Sequence, residues 1–335
     1  VAERISRQLA SVGDALAWRV YRYDRRAIIA LSSNQQSGPF LHRKGLPYEL
    51  GAIVERCKKG NFTLLHDLTS VIRHVDLTEV HPNGYRELHE VKANKGSSST
   101  RQLREAQAAL DAATGHKPLP RTPNAEVYLR RSTAAMRTTV RDLPNKIAIA
   151  ERDGLYLGYH ADRVITILEA NRTVLSGADL APEELDRRRD DLLQARWPNS
   201  PQFRANSGDK AALDPALAPY GIYPLPVHRR AQLICDHLII ESTITMEVLT
   251  AALARPGAQI EMVAPDVERD LDGGTPVLQI RSENRSLTIP MSVVSQLLLE
   301  FIDTRRWAQA VWETLDSTDI AHTVMTFTNE RAAWS

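Results

Sequence analysis

The sequence is short of cysteine, of lysine and of long apolar runs, and each shortage removes a class of protein. Cys57 and Cys235 are the only cysteines in 335 residues. They are too few for a disulfide framework and too far apart for a zinc knuckle. Apolar runs such as Leu238-Ile239-Ile240 fall far short of the roughly 20 residues a membrane-spanning helix needs. Val1-Ala2-Glu3-Arg4 leads into a charged segment rather than the apolar stretch of a secretory signal. A reducing cytoplasm, with no membrane partner, is therefore the expectation. The sequence has no glycine-rich phosphate loop of the Walker type, so ATP-driven translocation is not expected. No Ser-His-Asp arrangement can be argued from spacing either.

Apolar residues make up 43% of the chain and charged residues 25%, the range of soluble globular proteins. The length suffices for one large domain or two ordinary ones. Arginine outnumbers lysine by 34 to 8, a bias that a GC-rich genome explains without reference to function. The net charge of +1 hides an asymmetry. Residues 1–131 hold 21 Lys+Arg against 13 Asp+Glu, a balance of +8, and the remainder holds 21 against 28, a balance of −7. A basic N-terminal segment suits a polyanionic partner such as nucleic acid, because each phosphate contact releases condensed counterions.

Leu9, Val12, Leu16 and Val20 recur at helical spacing and predict a first helix with that face inward. A second helix is expected from about Pro47 to Gly60, with Leu46, Leu50, Ile53 and Cys57 along one face. Three strands follow: Phe62 to Leu65, Val75 to Val80 and, after a Pro82-Asn83-Gly84 turn, Glu87 to Lys92. A polar loop then precedes a helix carrying Leu103, Ala106 and Leu110. This order gives an α/β core on a small mixed sheet. Further on, the pattern predicts a hairpin of Lys146–Ile149 and Leu155–Tyr159, and a helix from Leu180 to Trp197. One or two helices are expected over 228–254, strands over Pro276–Arg281 and Ser286–Pro290, and a final helix from Met291 to Leu315.

The chemistry concentrates between His66 and Lys92. On a strand, side chains alternate, so Glu90 and Lys92 share a face and Asp76 can meet them from the neighbouring strand. Two carboxylates hold a hard divalent cation through oxygen, and a lysine beside them can orient water and offset developing negative charge. Metal-assisted phosphodiester hydrolysis needs such a set.

Asp76 followed by Glu90-Val91-Lys92 across one hairpin resembles the motif of the PD-(D/E)XK nuclease superfamily, over roughly residues 46 to 112. The resemblance implies a restriction-endonuclease-like core, a mixed sheet flanked by helices, within residues 1–131. An α+β domain over 132–335 would then recognise substrate, sense a trigger or dimerise. It implies Asp76, Glu90 and the Val91 carbonyl as ligands of Mg²⁺, with Mn²⁺ as a substitute, and Lys92 as the group that positions the nucleophile. Glu49, on the preceding helix, fits the family pattern better than Glu55, and Gln107 or the nearby Arg101 and Gln102 would come from the following helix. Gln107 is expected on that helix's apolar face, between Leu103 and Leu110. Val75 stands where the family has the proline that names its motif. The implied activity is hydrolysis of DNA, in bacterial defence against foreign DNA. A ribonuclease of the same fold, or a non-catalytic nucleic-acid-binding or assembly module, is the alternative.

Asp67 competes with Asp76 as first ligand, although a turn bracketed by Asp67 and Arg73 explains it as well. His66, His74, His81 and His89 fall in the same stretch and read as partly exposed hairpin histidines, with a metal or proton-transfer role as the other reading. Asp270-Leu271-Asp272-Gly273-Gly274 resembles half a calcium loop but lacks the distal glutamate and reads as a turn. Trp307 and Trp312 suit core packing or a dimer face better than base stacking.

Overall fold

In a computed structural model, the described residues are 2–32, 45–72, 74–91, 100–115, 117–120, 128–133, 137–170, 181–209, 217–263, 275–282, 285–317 and 323–326. The chain is mixed α/β and divides into two units. The first comprises Val1–Ser132 with Ala218–Ile222 and Asp319–Trp334, the second Thr133–Leu217 and Tyr223–Thr318.

The first unit opens with helices α1 (Ala2–Val20), α2 (Arg25–Leu31) and α3 (Leu46–Lys58). An antiparallel sheet of β1 (Phe62–Leu65), β2 (Leu77–Val80) and β3 (Arg86–His89) follows, in the order β1-β2-β3. Helix α4 (Thr100–Gly115) leads to β4 (Tyr128–Arg131), which pairs in parallel with β12 (Thr323–Thr326) rather than with the three-stranded sheet. The expected order of helix, three strands and helix is therefore present, but the three strands form a wholly antiparallel sheet rather than the expected mixed one, because each is joined to the next as an antiparallel neighbour.

The inward face of α1 is not the one its apolar periodicity suggests. Leu9 and Val12 are each 48% exposed, while Asp14, Ala17, Trp18 and Tyr21 are buried. Close backbone approach decides the matter. A Cβ on Gly13 would lie 1.9 Å from the Leu68 carbonyl oxygen, and one on Gly221 would lie 2.5 Å from the Ala15 Cβ. The small residues Gly13 and Ala15 let two segments reach the helix, and a larger side chain at either position would hold them off. Asp14 then fixes the chain after β1: its carboxylate accepts from the backbone N–H groups of Ser70 (2.6 Å) and Val71 (3.2 Å), and from the Ser70 hydroxyl.

The second unit contains α5 (Pro144–Asp153), β5 (Leu155–His160), β6 (Arg163–Glu169), α6 (Pro182–Arg196), β7 (Gln202–Asn206), α7 (Val227–Ile234), β8 (Leu238–Thr245) and α8 (Met246–Leu253). It continues with β9 (Ala258–Met262), β10 (Pro276–Ser282), β11 (Arg285–Pro290), α9 (Met291–Leu299) and α10 (Thr304–Asp316). Two antiparallel sheets result, in the orders β5-β6-β8-β7 and β11-β10-β9. Two expectations fail here and a third is met but incomplete, each for a local reason. The segment 146–149 is helical, with Pro144 in its first turn and Gly154 closing it in the left-handed region at φ 84°. Within 228–254 a strand separates two helices, because Leu238–Thr245 is rich in β-branched residues. The final helix is two helices: Phe301 takes φ 52°, and the Asp303 side chain caps the second by accepting from the Arg306 N–H.

Arg163 sits at that break with a fully buried side chain. Its guanidinium donates to the carbonyls of Leu297 and Ile302 at 2.7 Å each and to the Thr304 hydroxyl at 3.3 Å, and it pairs with Asp162 at 3.1 Å. Carbonyls left over at the end of α9 are thereby satisfied without water.

Candidate active site at the β2–β3 hairpin

Asp76 lies immediately before β2, and Glu90 and Val91 immediately after β3. Leu77 pairs with His89, so the next positions outward are Asp76 and Glu90. The Asp76 N–H donates to the His89 carbonyl at 3.1 Å. In return, the Val91 N–H donates to the Asp76 carboxylate at 2.6 Å. This charge-assisted bond brings the Asp76 carboxylate against the Glu90–Val91 peptide. One such bond does not exhaust a carboxylate, which has about four lone-pair sites. Lys92 lies outside the described residues.

The turn that delivers Asp76 is strained. Val75 is buried and has φ 53°, a left-handed conformation that is an outlier for a β-branched residue and costs on the order of 1–3 kcal/mol. Proline, locked near φ −65°, cannot take that conformation.

His66 holds the turn in place. Its Nδ1 faces the carbonyls of His74 (2.8 Å) and Val75 (3.2 Å), so that nitrogen carries the proton and donates. Its Nε2 then accepts from the Thr78 hydroxyl at 2.6 Å, and Thr78 accepts from the Tyr21 hydroxyl at 2.9 Å. Burial pushes the His66 imidazole down to about 4, against weaker upward pulls from the carbonyls. Burial likewise raises the Tyr21 phenol to about 12. Both groups are neutral in the folded protein at pH 7, as the relay requires. His66 and His74 are buried, which corrects the expectation that the histidines of this stretch are partly exposed.

A pH dependence follows. The folded pKa of His66 is depressed from 6.5 to about 4, so the unfolded chain takes up the proton first. Its contribution to stability is complete above about pH 6.5 and declines as the pH falls towards 4, by about 3 kcal/mol in all. Denaturant unfolding at about pH 7 and about pH 4.5 should therefore show the wild-type advantage over His66→Asn shrinking in acid. An advantage independent of pH would contradict this account of the turn.

Glu49 is the buried residue of α3, while Glu55 is exposed and paired with Lys58 at 2.8 Å. The inward side of α3 carries Leu46, Glu49, Ile53 and Arg56; Leu50 and Cys57, expected there, are exposed. Arg56 donates to the Glu79 carboxylate at 2.9 Å. Glu49 precedes Arg56 by about 10 Å of helix, and Asp76 precedes Glu79 by about 10 Å of strand. The carboxylates of Glu49, Asp76 and Glu90 do not all bring an oxygen within 4.8 Å of one another.

Gln107 is exposed and donates to Asp111 at 2.9 Å, away from the buried face of α4, which is Ala106, Ala109, Ala112 and Ala113. The expected place of Gln107 on the apolar face is thus corrected. The leucines at its flanks suggested a face that the alanines occupy, because α2 packs closely there, with Ala30 among them. Asp67 lies in the single 3-10 turn after β1. The Asp270–Gly274 loop lies outside the described residues.

Sequence reasoning missed a second convergence, on Glu79, His81 and Glu87. Alternation along β2 and β3 puts Glu79 and Glu87 directly across from each other, and that pairing was the available signal. Among the described residues no helix is long and apolar enough to cross a membrane. No family model, no curated protein and no solved structure matches the chain.

Proposed function

We propose that this protein is a metal-dependent nuclease with a restriction-endonuclease-like first unit, acting on DNA in bacterial defence. The observation that carries the reading is the bond from the Val91 N–H to Asp76. It joins the aspartate before β2 to the Glu-x-Lys segment after β3, two sequence features that the motif requires to meet. The strained Val75 turn supports the same reading, since such strain gathers at functional sites.

The donor set suits Mg²⁺. Asp76, Glu90 and the Val91 carbonyl offer oxygen alone, the preference of a hard cation. When bound, the ion would supply Lewis acidity at the scissile phosphate. The chain's own residues do the rest. Asp76 is oriented by the Val91 N–H, Lys92 positions the attacking water, and the basic first 131 residues hold the polyanion. Residues 132–335 would recognise substrate, sense a trigger or dimerise.

Lys92→Ala tests the assignment by separating cleavage from binding. Cleavage of labelled DNA should fall by at least about 100-fold. Affinity for the same DNA should change little and keep its steep salt dependence. A variant that cuts at the wild-type rate would place the active site elsewhere.

A further inference from the structure

We infer that the turn end of the β2–β3 hairpin is a transition-metal site, of the class that takes Zn²⁺, formed by Glu79, His81 and Glu87, with His89 beside them. It is independent of the nuclease reading. Glu79 is three residues along β2 from Asp76, about 10 Å, so one ion cannot serve both places.

The first observation is distance. Glu79, His81 and Glu87 each bring one ligand atom within 4.8 Å of the others. His81 Nε2 lies 3.6 Å from Glu87 Oε2, and His89 Nε2 lies 3.9 Å from the same oxygen and 2.8 Å from Glu79 Oε2. A tetrahedral centre with bonds of about 2.0–2.1 Å separates its ligand atoms by about 3.3–3.4 Å. The Glu79, His81 and Glu87 atoms, all within 4.8 Å of one another, therefore need shifts of up to about 1.5 Å to close on an ion.

The second observation concerns the imidazoles. The Nε2 atoms of His81 and His89 are shielded from solvent, yet neither makes a hydrogen bond of proper geometry. His89 Nε2 instead pairs with Glu79 at 2.8 Å. His81 thus has a shielded nitrogen with no hydrogen-bond partner, and an ion would use it.

The third is charge. Glu79 and Glu87 are directly paired across the strands, an arrangement that destabilises a sheet unless a cation offsets it. Arg56 and Asn61 donate to Glu79, at 2.9 and 2.5 Å. They fix the carboxylate as supporting groups commonly fix a metal ligand. Arg56 also repels a cation, so the site is expected to bind less tightly than one without it. Glu87 has no such cationic partner among the described residues besides the two imidazoles. An imidazole nitrogen with two carboxylate oxygens, and a second imidazole beside them, favours a first-row ion such as Zn²⁺ over Mg²⁺.

The hairpin is built to hold the set. The His81 N–H donates to the Tyr85 carbonyl at 2.9 Å, and the Tyr85 N–H to the Asn83 side chain at 2.9 Å, with Gly84 at φ 81°. The Tyr85 ring lies 5.6 Å from the His81 ring.

The test is titration of the full chain, freed of metal, with Zn²⁺ by calorimetry and with Co²⁺ by visible absorption. Wild type and Asp76→Asn should each bind one equivalent with the absorption of four-coordinate Co²⁺. His81→Ala and Glu87→Gln should each weaken that binding at least tenfold. Should His81→Ala misfold, Glu87→Gln, whose side chain is half exposed, carries the test. No stoichiometric binding by wild type, undiminished binding in the hairpin variants, or binding lost in Asp76→Asn would each overturn the inference.

Discussion

Asp76→Asn should abolish cleavage while leaving the protein folded, with a rate at least about 1,000-fold below wild type. The amide has the size of the carboxylate, and its oxygen can still accept from the Val91 N–H, now 2.6 Å from the acid. The substitution removes a full negative charge where the proposed Mg²⁺ would be held, and puts a weakly coordinating amide in its place. Loss of rate should therefore come with loss of Mg²⁺ binding in calorimetry, while the unfolding midpoint moves by no more than about 1 kcal/mol. Unchanged cleavage would remove Asp76 from the site. Lost cleavage with intact Mg²⁺ binding would make it a positioning group for the Glu90–Val91 peptide.

Arg163→Met should unfold much of the second unit's stability, by about 3–5 kcal/mol. Methionine fills a similar volume, so the loss isolates the guanidinium rather than a cavity. Without it, the Leu297 and Ile302 carbonyls lose buried donors at 2.7 Å, and Asp162, whose side chain is partly exposed, loses its partner at 3.1 Å. For a unit of this size, the thermal midpoint should fall by roughly 6–15 °C. Arg163→Lys should recover only part of it, since one ammonium cannot span both carbonyls in a fixed fork. A fall of less than about 1 kcal/mol would show that the break between α9 and α10 holds without the arginine.

Much of the first unit was legible because its elements are local. Alternation gave β1 to the residue and located β2 and β3, but β2 starts two residues later than expected and β3 ends three residues earlier, so Asp76 and Glu90 lie just outside them; Pro82-Asn83-Gly84 is the turn observed. The face of α1 was not legible. Both sides of that helix offer helical periodicity, and the choice rests on backbone approach at Gly13 and Gly221, which depends on a segment some two hundred residues away. Gln107 failed for the same reason: four alanines make a quieter pattern than two leucines but pack closer. The meeting of Asp76 with the Glu90–Val91 peptide followed from hairpin pairing, so it could be read. The left-handed Val75 and the His66 relay could not. They depend on Tyr21 and Thr78, far apart in sequence. In the second unit, Pro144 and Gly154 carried the correct helix signal, but apolar residues at 146–149 and 155–159 on either side of Asp153-Gly154 imitate a hairpin.

The central claim is that this chain hydrolyses nucleic acid with a bound divalent ion. Purified protein should be incubated with end-labelled single- and double-stranded DNA and RNA, with Mg²⁺ or with EDTA, and the products separated by length. The account predicts cleavage of DNA in Mg²⁺ and none in EDTA. Cleavage of RNA alone would keep the chemistry and change the substrate. Binding without cleavage of any of the four, in Mg²⁺ or Mn²⁺, would contradict the account and leave a nucleic-acid-binding module.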